Sequence, residues 1–239
     1  MAFSIHKANQ RGVAEHGWLH SHFSFSFAEY YNKDRMGFGA LRVINDDIIE
    51  AGEGFGMHPH RDMEIISIVT KGVLIHKDSF GNHGEIHAGE IQYMSAGEGV
   101  LHSEFASKDG TAALFQIWIH PNQKGGKPLY NQRDFRDVTK SNQWVTLVSP
   151  DGADHSIAIK QDAFIATTEL DEGKTIFLAP SSSNRGKLIL VVEGALEIEG
   201  VTLEVRDEVQ ITEEKAYELK ALKPAWVLVF DVPLHSTPF

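Results

Sequence analysis

The chain has 239 residues, 42% of them hydrophobic, with 21 glycines, 8 prolines and no cysteine. That length can bury one large β core or two smaller ones, and the missing cysteines exclude disulfides, thiolate chemistry and cysteine-ligated zinc. A formal net charge of −11 supplies no phosphate-neutralising surplus, so direct contact with nucleic acid is not expected; no stretch is long enough to span a membrane and the first residues lack a cationic, apolar leader, so a cytoplasmic protein without membrane contact is expected.

Helical periodicity is scarce, and short apolar runs separated by Gly, Asp and Asn predict strand after strand. His16, His20 and His22 come first; His20 and His22 share strand parity opposite Phe23, Phe25 and Phe27, which reads as a polar face behind an aromatic one. A strand is expected over 39–44, followed by Asp46-Asp47 as a charged turn. Strands over 64–69 and 72–76 lead into a hairpin that would leave His76, His83 and His87 at the surface. A strand over 113–119 precedes a polar, turn-forming and then highly charged stretch, 120–143, that reads as a connector. Further strands follow at 144–148, 163–166, 175–178, 187–192, 195–198 and 226–230. Residues 69–76 and 191–198 both read strand, Gly turn, strand, a faint repeat that agrees with two domains, 1–135 and 136–239.

Two segments about forty residues apart carry the chemistry. His58-Pro59-His60 and His102-Ser103-Glu104 each place two ligands at i and i+2, on one face of a strand. Facing strands would then offer three imidazoles and a carboxylate to one divalent transition metal. Pro59 has no donor and suits an edge strand. Glu64, four residues beyond His60, is a rival carboxylate, as fourth ligand in place of Glu104 or as a group orienting an imidazole; spacing alone leaves the two open. The other half has no equivalent His-x-His or His-x-Glu.

Five stretches, His16-Gly-Trp-Leu19, His22–Phe27, Met36–Asp46, Phe55–Glu64 and Gly97–Glu104, resemble the pirin family of the cupin superfamily, and the similarity extends over the whole chain. Within the family the chain is most similar to compact bacterial members that include one described as a quercetin 2,3-dioxygenase. Seven residues rather than six separate Glu64 from Gly72, and Ser95-Ala-Gly97 stands where ordinary cupins have a Pro-containing turn. Both departures favour pirins over a generic cupin.

The resemblance implies an all-β bicupin, two packed β-barrels joined by a short linker, with one metal in the N-terminal barrel and none in the C-terminal one. It implies His58, His60, His102 and Glu104 as metal ligands, with Glu104 and Glu64 as catalytic carboxylates. Fe(II) is the expected ion, and Zn, Mn, Ni, Co or Cu would also fit the donors. The implied activity is dioxygenation of a small planar phenolic substrate of the quercetin type with O2, releasing carbon monoxide, by a monomer. The rival expectation is a redox-responsive iron protein that acts on a regulatory protein partner; a storage or stress cupin with incidental metal is the third.

Overall fold

The computed structural model describes residues 3–138 and 141–235, and within them all regular structure is strand apart from two short 3-10 turns, Ala8–Gln10 and Ala153–His155. No helix of the described residues is long and apolar enough to cross a membrane. Three sheets form. The first has seven strands in the order Leu129–Asp134, Glu90–Ser95, Glu64–Lys71, Ala112–Ile119, Leu41–Ile49, Leu19–Phe23 and Gly12–Glu15. The second has four, Gly54–His60, Val100–Ala106, Val73–Asp78 and His83–His87. The third is built on the long strands Arg185–Ile198 and Tyr217–Pro233. The described residues thus form two β domains built from open sheets, with no closed ring of strand pairing among them.

Period-two alternation assigns each strand of the seven-stranded sheet a face on either side. Ile44, Ile66, Ile68, Ile91 and Ile117 project to one side and pack with Leu147, Val148, Ile165, Leu188, Leu190, Leu228 and Phe230 of the C-terminal half, forming the main core between the domains. Residues of the opposite parity, among them Asn45, Asp47, Ile65 and Gln116, line a cavity on the other side. The C-terminal domain fills its own interior with apolar side chains such as Ile189, Val191, Leu196, Leu203 and Leu219.

Polar pairs reinforce the junction between the halves. Buried Glu208 accepts from Arg35 at 2.7 Å and from the Ser24 hydroxyl, and Arg206 donates to Asp46 at 2.6 Å. The first strand, Phe3–His6, pairs with Glu208–Ile211, so the chain begins in the C-terminal sheet.

Several sequence expectations change here. Asp46-Asp47 is no turn: both lie inside the strand Leu41–Ile49, because the flanking apolar residues continue its alternation. The connector is shorter than expected, since Leu129–Asp134 pairs with Glu90–Ser95 as an edge strand; Lys140 lies outside the described residues. His83 and His87 are exposed, but His76 is completely buried.

The repeat is structural. Gly72 and Gly194 both take left-handed φ values, 70° and 78°, which side chains other than glycine adopt at a cost. A Cβ on Gly72 would stand 2.2 Å from the Thr111 carbonyl oxygen, and on Gly194 2.0 Å from that of Pro224. Gly72→Ala and Gly194→Ala should each cost at least about 2 kcal/mol through backbone strain and this clash. Urea unfolding followed by fluorescence measures it, and an unchanged midpoint for both variants would contradict the assignment.

Candidate metal centre and cavity

His58 and His60 stand on the edge strand of the four-stranded sheet, where Pro59 withholds no inner ladder bond. The neighbouring strand places His102 directly opposite His58. The ring centroids of His58 and His102 are 4.4 Å apart, and those of His58–His60 and His60–His102 are each 4.8 Å apart. One nitrogen from each ring lies within 4.8 Å of the other two. His58 Nδ1 donates to the Gly56 carbonyl at 2.8 Å, which leaves Nε2 as the bare nitrogen.

Burial, and then the neighbouring imidazoles, push His60 down to about 4 and His102 down to about 3. The rings are thus neutral near pH 7, the form in which imidazole binds metal. Both ring nitrogens of buried His102 lack any hydrogen-bond partner. Buried polar atoms are rarely left unsatisfied, and converging bare nitrogens are the donor set of a divalent transition metal. The residues present therefore fit such an ion.

Glu104 lies one i+2 step beyond His102, across a bulge in the register with the edge strand. It is fully buried, and two amides hold it: Gln92 Nε2 donates to Oε1 at 2.6 Å and Gln116 Nε2 to Oε2 at 2.8 Å. A second set of ligand atoms within 4.8 Å of one another is His76, His102 and Glu104. His102 thus links Glu104 to the three-histidine cluster. His76 stacks on Tyr130 with centroids 4.7 Å apart and lies 3.4 Å from Asp78.

Glu64 does not join this group. Counting parity from His60 assumes one continuous strand, but Asp62 takes a left-handed φ of 49° and the chain crosses from the small sheet to the large one. Glu64 then shares parity with Ile66 and Ile68, on the interdomain face. There it accepts from Tyr93, from Ser95 at 2.7 Å and from the backbone N–H of Lys160 at 2.8 Å. Burial and Glu64 push the Tyr93 hydroxyl up. Glu64 is a joint between domains rather than a group in the cavity.

The cavity between the two N-terminal sheets has a volume of about 410 Å³ and reaches His58, His60, His102 and Glu104. Its apolar walls include Phe23, Phe27, Phe55, Ile65 and Trp118, with the Trp118 and His60 rings nearly perpendicular and their centroids 4.9 Å apart. His16 also lines it, whereas His20 is turned outward onto Glu15. The large sheet adds Ser21, Asn45 and Asp47. Burial pushes the Asp47 carboxyl up to about 7, with Asp46 and Glu104 adding to the rise and the Ser21 hydroxyl and Arg11 opposing it.

Asp47 was read in the sequence only as part of a turn, and Gln92 and Gln116 were missed there. Their signal was available: Ile91-Gln92-Tyr93 and Phe115-Gln116-Ile117 each put one amide inside an apolar strand, where a polar group needs a partner.

Comparison with known proteins gives a consistent result. The family model Pirin matches residues 5–119, and one described as the quercetinase C-terminal cupin domain matches 146–232. A quercetin 2,3-dioxygenase of Escherichia coli K12 is 46% identical over 232 residues, 96% of this chain and 98% of its own. A pirin-like protein of Caulobacter vibrioides is 40% identical, covering 92% of this chain and 95% of its own. The crystal structure of the bacterial pirin YhhW from E. coli in complex with nickel(II) superimposes with a TM-score of 0.92 at 43% identity, covering 98% of this chain and all of that one.

Two outcomes are expected from the geometry. In calorimetric titration with Ni(II), His102→Ala should weaken binding by at least about 100-fold, whereas Glu64→Gln should leave it within about threefold; equal losses would contradict the placement of Glu64. Asp47, held above its ordinary range, binds its proton more tightly folded than unfolded, so its ionisation costs stability as pH rises from about 4 through 7. In the metal-free protein, Asp47→Asn should therefore be more stable than wild type by roughly 1–3 kcal/mol at pH 8, and the gain should vanish near pH 4. Thermal melts across that range measure it.

Proposed function

The chain belongs to the pirin family, and on that premise we propose that it is a metal-dependent dioxygenase that opens the heterocyclic ring of quercetin-like flavonols. The observation that carries this reading is the aromatic-lined cavity with three imidazoles converging at one side. Its relatives' name as quercetin 2,3-dioxygenases supports it. His58, His60, His102 and Glu104 are the residues that would hold the ion, and Fe(II) is the ion we favour. When bound, the metal supplies Lewis acidity toward the flavonol 3-hydroxyl and a site for redox chemistry with O2.

The chain's own groups perform the remaining tasks. Trp118, Phe27 and Phe23 offer flat apolar surface to a planar ring system, and burial there excludes water. Gln92 and Gln116 fix the orientation of Glu104 from both sides. Glu104 is also the candidate acceptor of the proton that the 3-hydroxyl loses. In the overall reaction both atoms of O2 enter the product, at C2 and C4 of the flavonol; C3 leaves as carbon monoxide, and the ring opens to a depside.

The test is anaerobic loading of the metal-free protein with Fe(II), and separately with Mn(II), Ni(II), Co(II), Cu(II) and Zn(II), followed by quercetin and O2. Oxygen uptake and carbon monoxide should appear in equal amounts and be lost in the His58→Ala/His102→Ala double variant. Bound metal with no carbon monoxide for any ion would overturn the reading. Gln116→Leu, which frees one side of Glu104, should lower kcat/KM by about 10- to 100-fold.

A further inference from the structure

The wall of the cavity facing the histidines carries polar groups that metal binding does not use. Strand register aligns Gln92, Ser67, Gln116 and Asn45 as one row across the large sheet. The first three close on Glu104 or on each other. Asn45, at the end of the row, does not: it is 3% exposed and its Oδ1 has no partner. Two residues on, Asp47 faces the same cavity and sits opposite Ser21 in the register. It is equally buried, and among the described residues the side chain's hydrogen bond is from the Ser21 hydroxyl, which donates to Oδ1. The two oxygens of a carboxyl group, protonated or not, can accept from more than one donor, so a single hydroxyl leaves acceptor capacity unused in a site where desolvation is costly. Asn45 and Asp47 are thus acceptors two residues apart that both line the cavity, Asn45 Oδ1 without a partner and Asp47 held by one hydroxyl among the described residues. Apolar ligands have nothing to offer them; the O–H groups of a phenol do.

The two sides of the cavity belong to different sheets. His58, His60 and His102 come from the small one, and Ser21, Asn45 and Asp47 from the large one. A planar ligand anchored at the histidines would extend within the same cavity toward the second group. We propose that Ser21, Asn45 and Asp47 form a hydroxyl-reading subsite that selects aromatic ligands by the O–H donors on the ring remote from the histidines. This rests on the phenolic substrate class proposed above. Selection of this kind is strong because a ligand lacking the hydroxyl leaves a buried acceptor unpaired.

Three flavonols make the test, since quercetin, kaempferol and galangin carry two, one and no hydroxyls on the pendant ring and are otherwise identical. Their dissociation constants are measured by fluorescence quenching on the Ni(II)-loaded full chain without oxygen, so that no turnover intervenes. For wild type, affinity should fall at least about tenfold from quercetin to galangin. In Asp47→Asn that ratio should shrink to less than about threefold, mainly through weaker quercetin binding. Ser21→Ala, which removes only the hydroxyl holding Asp47, provides a second variant and should give an intermediate ratio. Equal binding of all three flavonols by wild type, binding of none, or an unchanged ratio in a folded variant would overturn the proposal. The aerobic carbon monoxide assay separates the two claims: a graded series without carbon monoxide keeps the subsite and removes the dioxygenase, while carbon monoxide with a flat series does the reverse.

Discussion

The two-residue alternation of the seven-stranded sheet is the constraint on which the rest depends. Each of its inner strands must satisfy an apolar interdomain core on one face and a partly polar cavity on the other. Ile44 and Asn45, Ile66 and Ser67, and Ile117 and Gln116 are neighbours in the chain yet belong to different environments. A one-residue slip in register would exchange them, burying amides against the C-terminal domain and emptying the cavity of its polar row. Register is therefore fixed by both faces at once, and the site inherits its precision from a core that it never touches.

The electrostatics follow from that arrangement. Burial makes imidazolium costly, so His60 and His102 are held neutral with their lone pairs free. Glu104, a few ångströms further in, is surrounded by side-chain amides instead of a cation. Amides orient a carboxyl group without bringing a formal charge of their own; an Arg in the position of Gln92 or Gln116 would place a cation against Glu104 instead.

Much of this could be read from the residues in order. The i, i+2 spacing of His58/His60 and His102/Glu104 needs only a strand to become a common face, and Pro59 marks the strand as an edge. Gly72 and Gly194 revealed the repeat because only a backbone in the left-handed region, pressed on a neighbouring carbonyl, demands glycine at both places. What failed was whatever depended on where the chain changes sheet. Glu64 keeps strand parity with His60 on paper, but the reversal at Asp62 sends it to the opposite side of another sheet. His76 looked exposed because it lies near a polar hairpin, whereas its strand is interior to the small sheet and its ring is covered by Tyr130. Asp47 looked like a turn residue because charge was read without the apolar alternation on either side of it. That Gln92 and Gln116 are amides inside apolar strands is visible locally, but the group they hold, Glu104, lies on another strand and no spacing points to it.

The placement of Phe3–His6 in the C-terminal sheet has a consequence for how the molecule is made. Its partner, Glu208–Ile211, is translated some two hundred residues later. Phe3–His6 must wait, unpaired, until Ile211 has emerged, and its docking follows synthesis of the whole stretch between them. Once docked, it straps the two domains together independently of the connector, so a protease that cut the connector would leave a noncovalent but still joined pair.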